Sequence, residues 1–130
     1  MYLKIKPLSV NQAWQGKRFK TKKYKDYEKE ILALMPPLSV PDGRLSVSIT
    51  FAFSNSASDI DNPLKPFLDC LQKRYGFNDK MVKFLFVESV KVKKGEEFIV
   101  CHIQKAPKQR LSLIRLVRAL IYKANRAMRD

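Results

Sequence analysis

The acidic residues of this chain are concentrated in one short stretch. Four of the twelve acids lie within residues 59–79, and these are Asp59, Asp61, Asp69 and Asp79. Asp59 and Asp61 form a D-x-D pair, and in an extended segment residues two apart point to the same side, so their carboxylates can converge on one point. Clustered carboxylates repel one another, and a hard divalent cation with oxygen ligands relieves that repulsion. The pattern indicates a magnesium site, towards which Asp79 can fold back after a turn at Gly76.

A lysine lies inside the same stretch. Lys65 precedes Asp69 by four residues, so on a helix the two share one face and the ammonium points to whatever the carboxylates hold. A bound metal lowers the pKa of a water ligand and makes it a nucleophile, and a positioned cation stabilises the charge that builds on a phosphate. Together these residue types indicate hydrolysis of phosphodiesters.

The same residues permit a second interpretation. Asp59 and Asp61 can be acids that the dipole favours at a helix N-terminus. Asp69 is then the surface partner of Lys65 or Lys73. Spacing alone leaves both interpretations open.

The charge of the chain points to a polyanionic partner. It has 26 Lys and Arg against 12 Asp and Glu, a net charge of +14 over 130 residues. So many positive charges repel one another in the folded chain, and binding to nucleic acid or to an anionic membrane surface explains their presence. Six of the nine residues from 17 to 25 are basic and none is acidic, which indicates a surface that contacts the DNA backbone or a solvated face. The predicted DNA contacts are Lys17, Arg18, Lys20, Lys22, Lys23, Lys25 and Lys73.

Composition excludes several classes of protein. Hydrophobic residues make up 45% of the chain and aromatic residues 11%. A disordered basic protein would contain fewer of both. Cys70 and Cys101 are far apart and, with the single histidine, do not make a usual zinc site, so we expect a reducing, cytoplasmic compartment. Residues 1–7 lack the apolar core of a signal peptide and no run approaches 18 apolar residues, so we expect neither secretion nor a membrane span.

The elements that must position these residues follow from periodicity. Alternation predicts strands over residues 2–6 and 45–53, and helical spacing predicts a helix over residues 21–34. A second helix is expected after the D-x-D pair, capped by Asn62, beginning at Pro63 and ending at Gly76. Residues 81–92 and 98–103 are expected to form a hairpin about Gly95. The order β-α-β-α-β-β predicts an α+β fold, a single compact domain with a mixed β-sheet packed on helices.

The last residues differ from the rest. Residues 107–130 have an apolar stripe and many basic residues, which predicts a basic amphipathic C-terminal helix or tail following a domain of residues 1–106. Three roles remain open for this helix: a DNA-binding arm, a dimer element or a membrane-surface helix.

The segment DIDNPLKPFLD, residues 59–69, resembles the D-x-D-N-x-x-K-x-x-x-D signature of the RusA family of Holliday-junction resolvases. The likeness continues to Asp79 and Val82, where the family has an aspartate followed three residues later by an aliphatic residue. Upstream, KIKPLSVN at residues 4–11 is similar to the family's opening strand, proline and asparagine. Asn78 stands where some members have a second aspartate, and Ser58 where some have a basic phosphate contact.

The resemblance implies a magnesium-dependent endonuclease that cuts four-way DNA junctions by paired symmetric cuts and works as a homodimer, with manganese as an alternative ion. Asp59, Asp61 and Asp79 match the family's metal-binding, catalytic carboxylates, and Lys65 matches its catalytic lysine. Asp69 matches an acidic position without an assigned role and is a possible supporting residue. Genes of this type often occur in phages and prophages, so the resemblance is compatible with that origin in a bacterial cell.

Two other functions remain open. The chain could be a catalytically silent, structure-selective DNA-binding protein whose acids only cap a helix, and such a protein needs no magnesium. It could also be a nuclease that prefers flaps or other branched replication intermediates, which the sequence does not separate from a junction resolvase.

Overall fold

The computed structural model describes residues 1–16, 19–55, 58–108 and 111–129. These residues confirm the predicted α+β class with a mixed sheet packed on helices. In chain order the elements are β1 (Tyr2–Leu3), α1 (Val10–Ala13), β2 (Trp14–Gln15), β3 (Phe19–Lys20), α2 (Lys22–Leu34), β4 (Leu45–Phe53), α3 (Leu64–Tyr75), β5 (Val82–Lys91), β6 (Phe98–Lys105) and α4 (Leu111–Ala127). A 3-10 turn, Asp79–Met81, precedes β5.

The main sheet has the strand order β1-β6-β4-β5. Strand β4 alternates apolar residues with small ones, as predicted, and its apolar side chains are buried in the core. It pairs antiparallel with β6 and parallel with β5. The predicted strand at residues 2–6 is shorter, because the Ile5 N–H donates to the Leu3 carbonyl at 2.9 Å and turns the chain away.

The predicted hairpin of residues 81–92 and 98–103 is wrong. Both segments are strands, but β4 lies between them. Helix α3 carries the chain back across the sheet before β5 begins, so β5 runs parallel to β4. Strand β5 also carries Lys83, Glu88 and Lys91, and charged side chains favour an edge over the middle of a sheet.

Helices α2 and α3 cover one face of the sheet. Helix α2 begins where predicted, because the Thr21 hydroxyl accepts a hydrogen bond from the Tyr24 N–H at 3.1 Å. Its buried side chains meet those of α3 in one core with β4. The rings of Phe51 on β4 and Phe67 on α3 pack edge to face, 5.7 Å apart. This packing fixes α3 on the sheet.

The start of α3 differs from the prediction. Asn62 is not the cap; the helix begins at Leu64, and Pro63 occupies the cap position without a side-chain hydrogen bond. The Asn62 carbonyl instead accepts from the Val10 N–H at 2.8 Å, which ties α1 to this turn. Gly76 ends the helix with φ of 73°, a left-handed conformation that glycine adopts without steric cost.

Helix α4 leaves part of its apolar stripe in contact with solvent. Leu116, Leu120 and Ile121 are exposed. No helix among the described residues is both long enough and apolar enough to cross a membrane.

Candidate active site

The D-x-D pair lies in the turn that joins the end of β4 to the start of α3. The Asn62 N–H donates to the Asp59 carbonyl at 3.2 Å, and the Leu64 N–H donates to the Asp61 carbonyl at 3.1 Å. Both aspartates are exposed. Two successive turns therefore present both side chains to solvent beside the N-terminus of α3, where the helix dipole favours negative charge.

Lys65 and Asp69 form an ion pair on the first two turns of α3. The Nζ to Oδ1 distance is 3.1 Å, and the side chains are 63% and 29% exposed. The pair has the spacing that both interpretations of the sequence predict. In this conformation Asp69 holds the ammonium, so a phosphate that binds Lys65 must compete with Asp69.

Asp79 lies near the other end of α3. It begins the 3-10 turn that leads into β5, and Val82 pairs with Leu45, the first residue of β4. Asp59 and Asp61 follow the last residue of β4, so the two groups lie at opposite ends of the parallel pair. The twelve residues of α3 between them span about 18 Å. The turn at Gly76 thus does not bring Asp79 back to the D-x-D pair.

The three carboxylates therefore do not form a metal set within one chain. No group of three His, Cys, Asp or Glu side chains that could hold a metal occurs among the described residues. The donor chemistry of Asp59 and Asp61 suits a hard cation. Glu97 lies at the same end of the sheet, but its carboxylate accepts hydrogen bonds from the Ser54 hydroxyl and the Gly95 N–H.

A polar cleft of about 290 Å³ lies beside the D-x-D pair. Its lining includes Ser9, Asn11, Ser58 and Asn62. The side chains are neutral hydrogen-bonding groups for the most part, which suits contact with a sugar-phosphate backbone.

Glu97 also lines this cleft, and no pattern in the sequence pointed to it. Its carboxylate accepts from the Ser54 hydroxyl at 2.7 Å and from the Gly95 N–H at 2.8 Å. The hydrogen bond from Ser54, with others from backbone N–H groups, lowers the pKa of Glu97 below its usual value. These bonds tie the start of β6 to the loop after β4, so Glu97 builds one wall of the cleft.

Two of the predicted DNA contacts converge on Glu28 of α2, which no spacing in the sequence singles out. Lys20 and Lys73 each contact its carboxylate at 2.7 Å. Burial alone would raise the pKa of Glu28, but hydrogen bonds from the two lysines outweigh it and lower the pKa. Lys20 also lies over the Tyr24 ring, 4.8 Å from its centroid. Glu28 therefore fixes two cations that are 53 residues apart in the chain.

The remaining predicted DNA contacts divide into two groups. Lys22, Lys23 and Lys25 are exposed on the first turns of α2. Lys17 and Arg18 lie outside the residues that the structure describes.

Comparison with known proteins identifies a protein family. A family model described as endodeoxyribonuclease RusA matches residues 6–104. The matched segment contains Asp59, Asp61, Lys65 and Asp79, and it ends before α4 begins. No curated protein matches the chain.

Proposed function

The chain belongs to the RusA family of endodeoxyribonucleases, and we propose that it is a magnesium-dependent endonuclease that resolves four-way DNA junctions by paired symmetric cuts. The observation that carries the proposal is the family match, which spans the whole acidic stretch together with Lys65. The exposed D-x-D pair beside a polar cleft supports it.

In the proposed site, Asp59 and Asp61 hold the cation at the N-terminus of α3. Their oxygen donors suit magnesium, with manganese as an alternative. When bound, the ion supplies an activated water and offsets charge on the phosphate. Backbone hydrogen bonds from Asn62 to Asp59 and from Leu64 to Asp61 hold the turn that carries both carboxylates.

Lys65 has the role of stabilising the phosphate. It is the second residue of α3, and its side chain is 63% exposed, so its ammonium can leave Asp69 and reach a bound strand. A charge-assisted hydrogen bond to the phosphate gains strength as charge develops in the transition state.

The proposed protein is a homodimer. Two cuts related by two-fold symmetry call for two identical sites, which a C2 dimer provides. The separation of the carboxylates along α3 supports a dimer as well. A two-fold axis that sets two copies of α3 antiparallel brings the end of one helix towards the start of the other, so Asp79 of the partner subunit can complete the Asp59 and Asp61 pair.

DNA binding is assigned to the basic face at the start of α2. Lys22, Lys23 and Lys25 are exposed there, while Lys20 and Lys73 extend the surface across Glu28 to α3. The net charge of +14 adds a long-range attraction to any branched DNA.

The test is cleavage of a synthetic four-way junction, with magnesium and with chelator, beside linear duplex and flap DNA. The chain offers a matched pair of variants. Asp61→Asn removes a carboxylate from the proposed site, and Asp26→Asn makes the same change at an exposed position on α2. We expect paired nicks that need magnesium, persist in Asp26→Asn and vanish in Asp61→Asn.

Each other outcome points to a different function. Junction binding without cuts under magnesium and manganese would indicate the silent DNA-binding protein. Cutting of flaps alone would retain the chemistry and change the substrate. Full activity of Asp61→Asn would remove the D-x-D pair from the mechanism.

A further inference from the structure

The connection between β5 and β6 crosses the end of β4. The two strands are not neighbours in the sheet, because β4 lies between them. Strand β5 ends beside Phe53, the last residue of β4, and β6 begins beside Ala52. Residues 92–97 must therefore pass over the point at which the chain leaves β4 towards the D-x-D pair.

This connection carries a cluster of cations. Lys91, Lys93 and Lys94 are exposed, and we call these three residues the lysine turn. With Ser54 and Glu96 they line a cleft of about 660 Å³, in which the three ammonium groups outnumber the Glu96 carboxylate. Ser54 also lines the polar cleft beside the D-x-D pair, so the two clefts adjoin there. None of the DNA contacts that the sequence predicts lies in this segment.

The backbone holds the lysine turn against the end of β4. The Val92 N–H donates to the Phe53 carbonyl at 2.8 Å, and the Glu96 N–H donates to the Lys93 carbonyl at 3.0 Å. Within this turn Gly95 has φ of 92°, a conformation that glycine adopts without steric cost. The lysines are therefore carried on a backbone with a defined path.

Glu97 binds the same turn from its buried side. The residue is 9% exposed, and one carboxylate oxygen accepts from the Gly95 N–H while the other accepts from the Ser54 hydroxyl. A carboxylate in such a position needs hydrogen-bond donors, and these two groups supply them. One bond holds the lysine turn, and the other holds the chain that leads from β4 to the D-x-D pair. Glu97 thus couples the position of the lysine turn to that of the proposed active site.

We propose that the lysine turn is a second binding site for the DNA backbone, next to the cut, and that Glu97 is its positioning residue. The inference rests on the proposed nuclease and adds a contact that its sequence did not predict. The D-x-D pair repels a phosphate through its charge, and cations beside it offset that repulsion. Two adjoining clefts, one with neutral hydrogen-bonding groups and one with ammonium groups, suit a single sugar-phosphate strand.

Lysine substitution tests the contact itself. The double variant Lys93→Gln/Lys94→Gln removes two charges from the turn. We expect the slope of log Kd against log salt for a four-way junction to fall by about 1.8, or about 0.9 for each lost phosphate contact, measured by fluorescence anisotropy in chelator. The matched control is Lys29→Gln/Lys105→Gln, which removes two exposed lysines from α2 and from the far end of β6. Its slope should equal that of the unmodified chain.

Phosphate substitution locates the contact on the DNA. Single phosphates on either side of the mapped cut are replaced by neutral methylphosphonate, and binding of each junction is measured. Some of these replacements should weaken binding of the unmodified chain and of Lys29→Gln/Lys105→Gln. The same replacements should have no effect on Lys93→Gln/Lys94→Gln, because the partner of the phosphate is already gone.

The sign of a substitution at Glu97 separates positioning from charge. Glu97→Ala removes a negative charge beside the proposed strand, which by charge alone should tighten DNA binding. It also removes both hydrogen bonds that hold the turn, so we expect Kd for the junction to rise about three- to tenfold, because binding must then order the lysines. Glu97→Gln should restore tight binding, since an amide can accept from Gly95 and donate to Ser54. Glu96→Ala is the matched control at the exposed neighbour and should bind at least as tightly as the unmodified chain.

The outcomes separate this inference from the proposed function. An unchanged salt slope in Lys93→Gln/Lys94→Gln, with junction cutting intact, overturns the second site and leaves the nuclease standing. Binding by Glu97→Ala as tight as by Glu96→Ala overturns the positioning role, and so does a Glu97→Gln variant as weak as Glu97→Ala. The lysines are exposed, so their variants test the site even where Glu97→Ala does not fold. A lowered slope in a chain that binds junctions and never cuts them supports the site and contradicts the nuclease.

Discussion

The ion pair between Lys65 and Asp69 leads to a prediction with a definite sign. Asp69→Asn keeps the shape of the side chain and removes its charge, so the Lys65 ammonium is released from its partner at 3.1 Å. If Lys65 stabilises the phosphate, release should make it more available. The variant should therefore cut junction DNA faster than the unmodified chain.

The structure sets the size of this effect. Lys65 is 63% exposed, so water screens the pair and its free energy must be discounted accordingly. Exposed pairs of i,i+4 spacing contribute about 0.3–0.5 kcal/mol. Relief of that competition corresponds to a rise of about twofold in the single-turnover rate. The free energy of unfolding should fall by no more than about 0.5 kcal/mol.

The assay is a double-mutant cycle under single-turnover conditions with saturating magnesium. Lys65→Ala should lower the rate by about 10²–10³, the range for removal of one donor to a developing oxyanion. Asp69→Asn should then have no further effect in the Lys65→Ala background, since no ammonium remains to be released. A loss of activity in Asp69→Asn as severe as in Asp61→Asn would refute the reasoning and make Asp69 a direct participant. An equal effect of Asp69→Asn in both backgrounds would also refute it.

Two further predictions concern the basic face. Replacing Lys22, Lys23 and Lys25 with alanine should weaken junction binding and lower the salt slope by about 0.9 for each phosphate left without a cationic partner, measured by fluorescence anisotropy across salt concentrations. The same charge change at exposed Lys4, Lys29 and Lys105 should leave the slope unchanged, and equal slopes in both variants would mean that the cluster does not bind DNA. The lowered pKa of Glu28 means that its contribution to stability is present above its usual value of 4.5 and is lost as pH falls through the lower folded value. The measurement is urea unfolding at a series of pH values from neutral to below 4.5. The free energy of unfolding should fall less for Glu28→Gln than for the unmodified chain as the pH is lowered. An equal fall in both would mean that the Glu28 carboxylate does not stabilise the fold.

Patterns confined to one element were predictable from the sequence. The alternation from Leu45 to Phe53 predicted β4 with its bounds, and Thr21 marked the start of α2. The four-residue spacing predicted an ion pair of Asp69 with Lys65 or with Lys73, because residues four apart on a helix are neighbours whatever surrounds the helix. The structure shows the pair with Lys65, while Lys73 contacts Glu28. The N-terminus of α3 was less predictable: the helix begins at Leu64, and the expected cap, Asn62, instead has its carbonyl bound to the Val10 N–H of α1.

The D-x-D signature and the basic composition can be recognised in the sequence alone. They also identify the chain as a member of a nuclease family. The choice of neighbouring strands depends on the folded chain, because backbone hydrogen bonds between strands leave little trace in local periodicity. That choice made β5 an edge strand parallel to β4, and it placed Asp79 at the far end of α3 from Asp59. Folding also brought Lys20 and Lys73 together on Glu28, since the packing of α2 against α3 joins residues that no spacing along the chain relates.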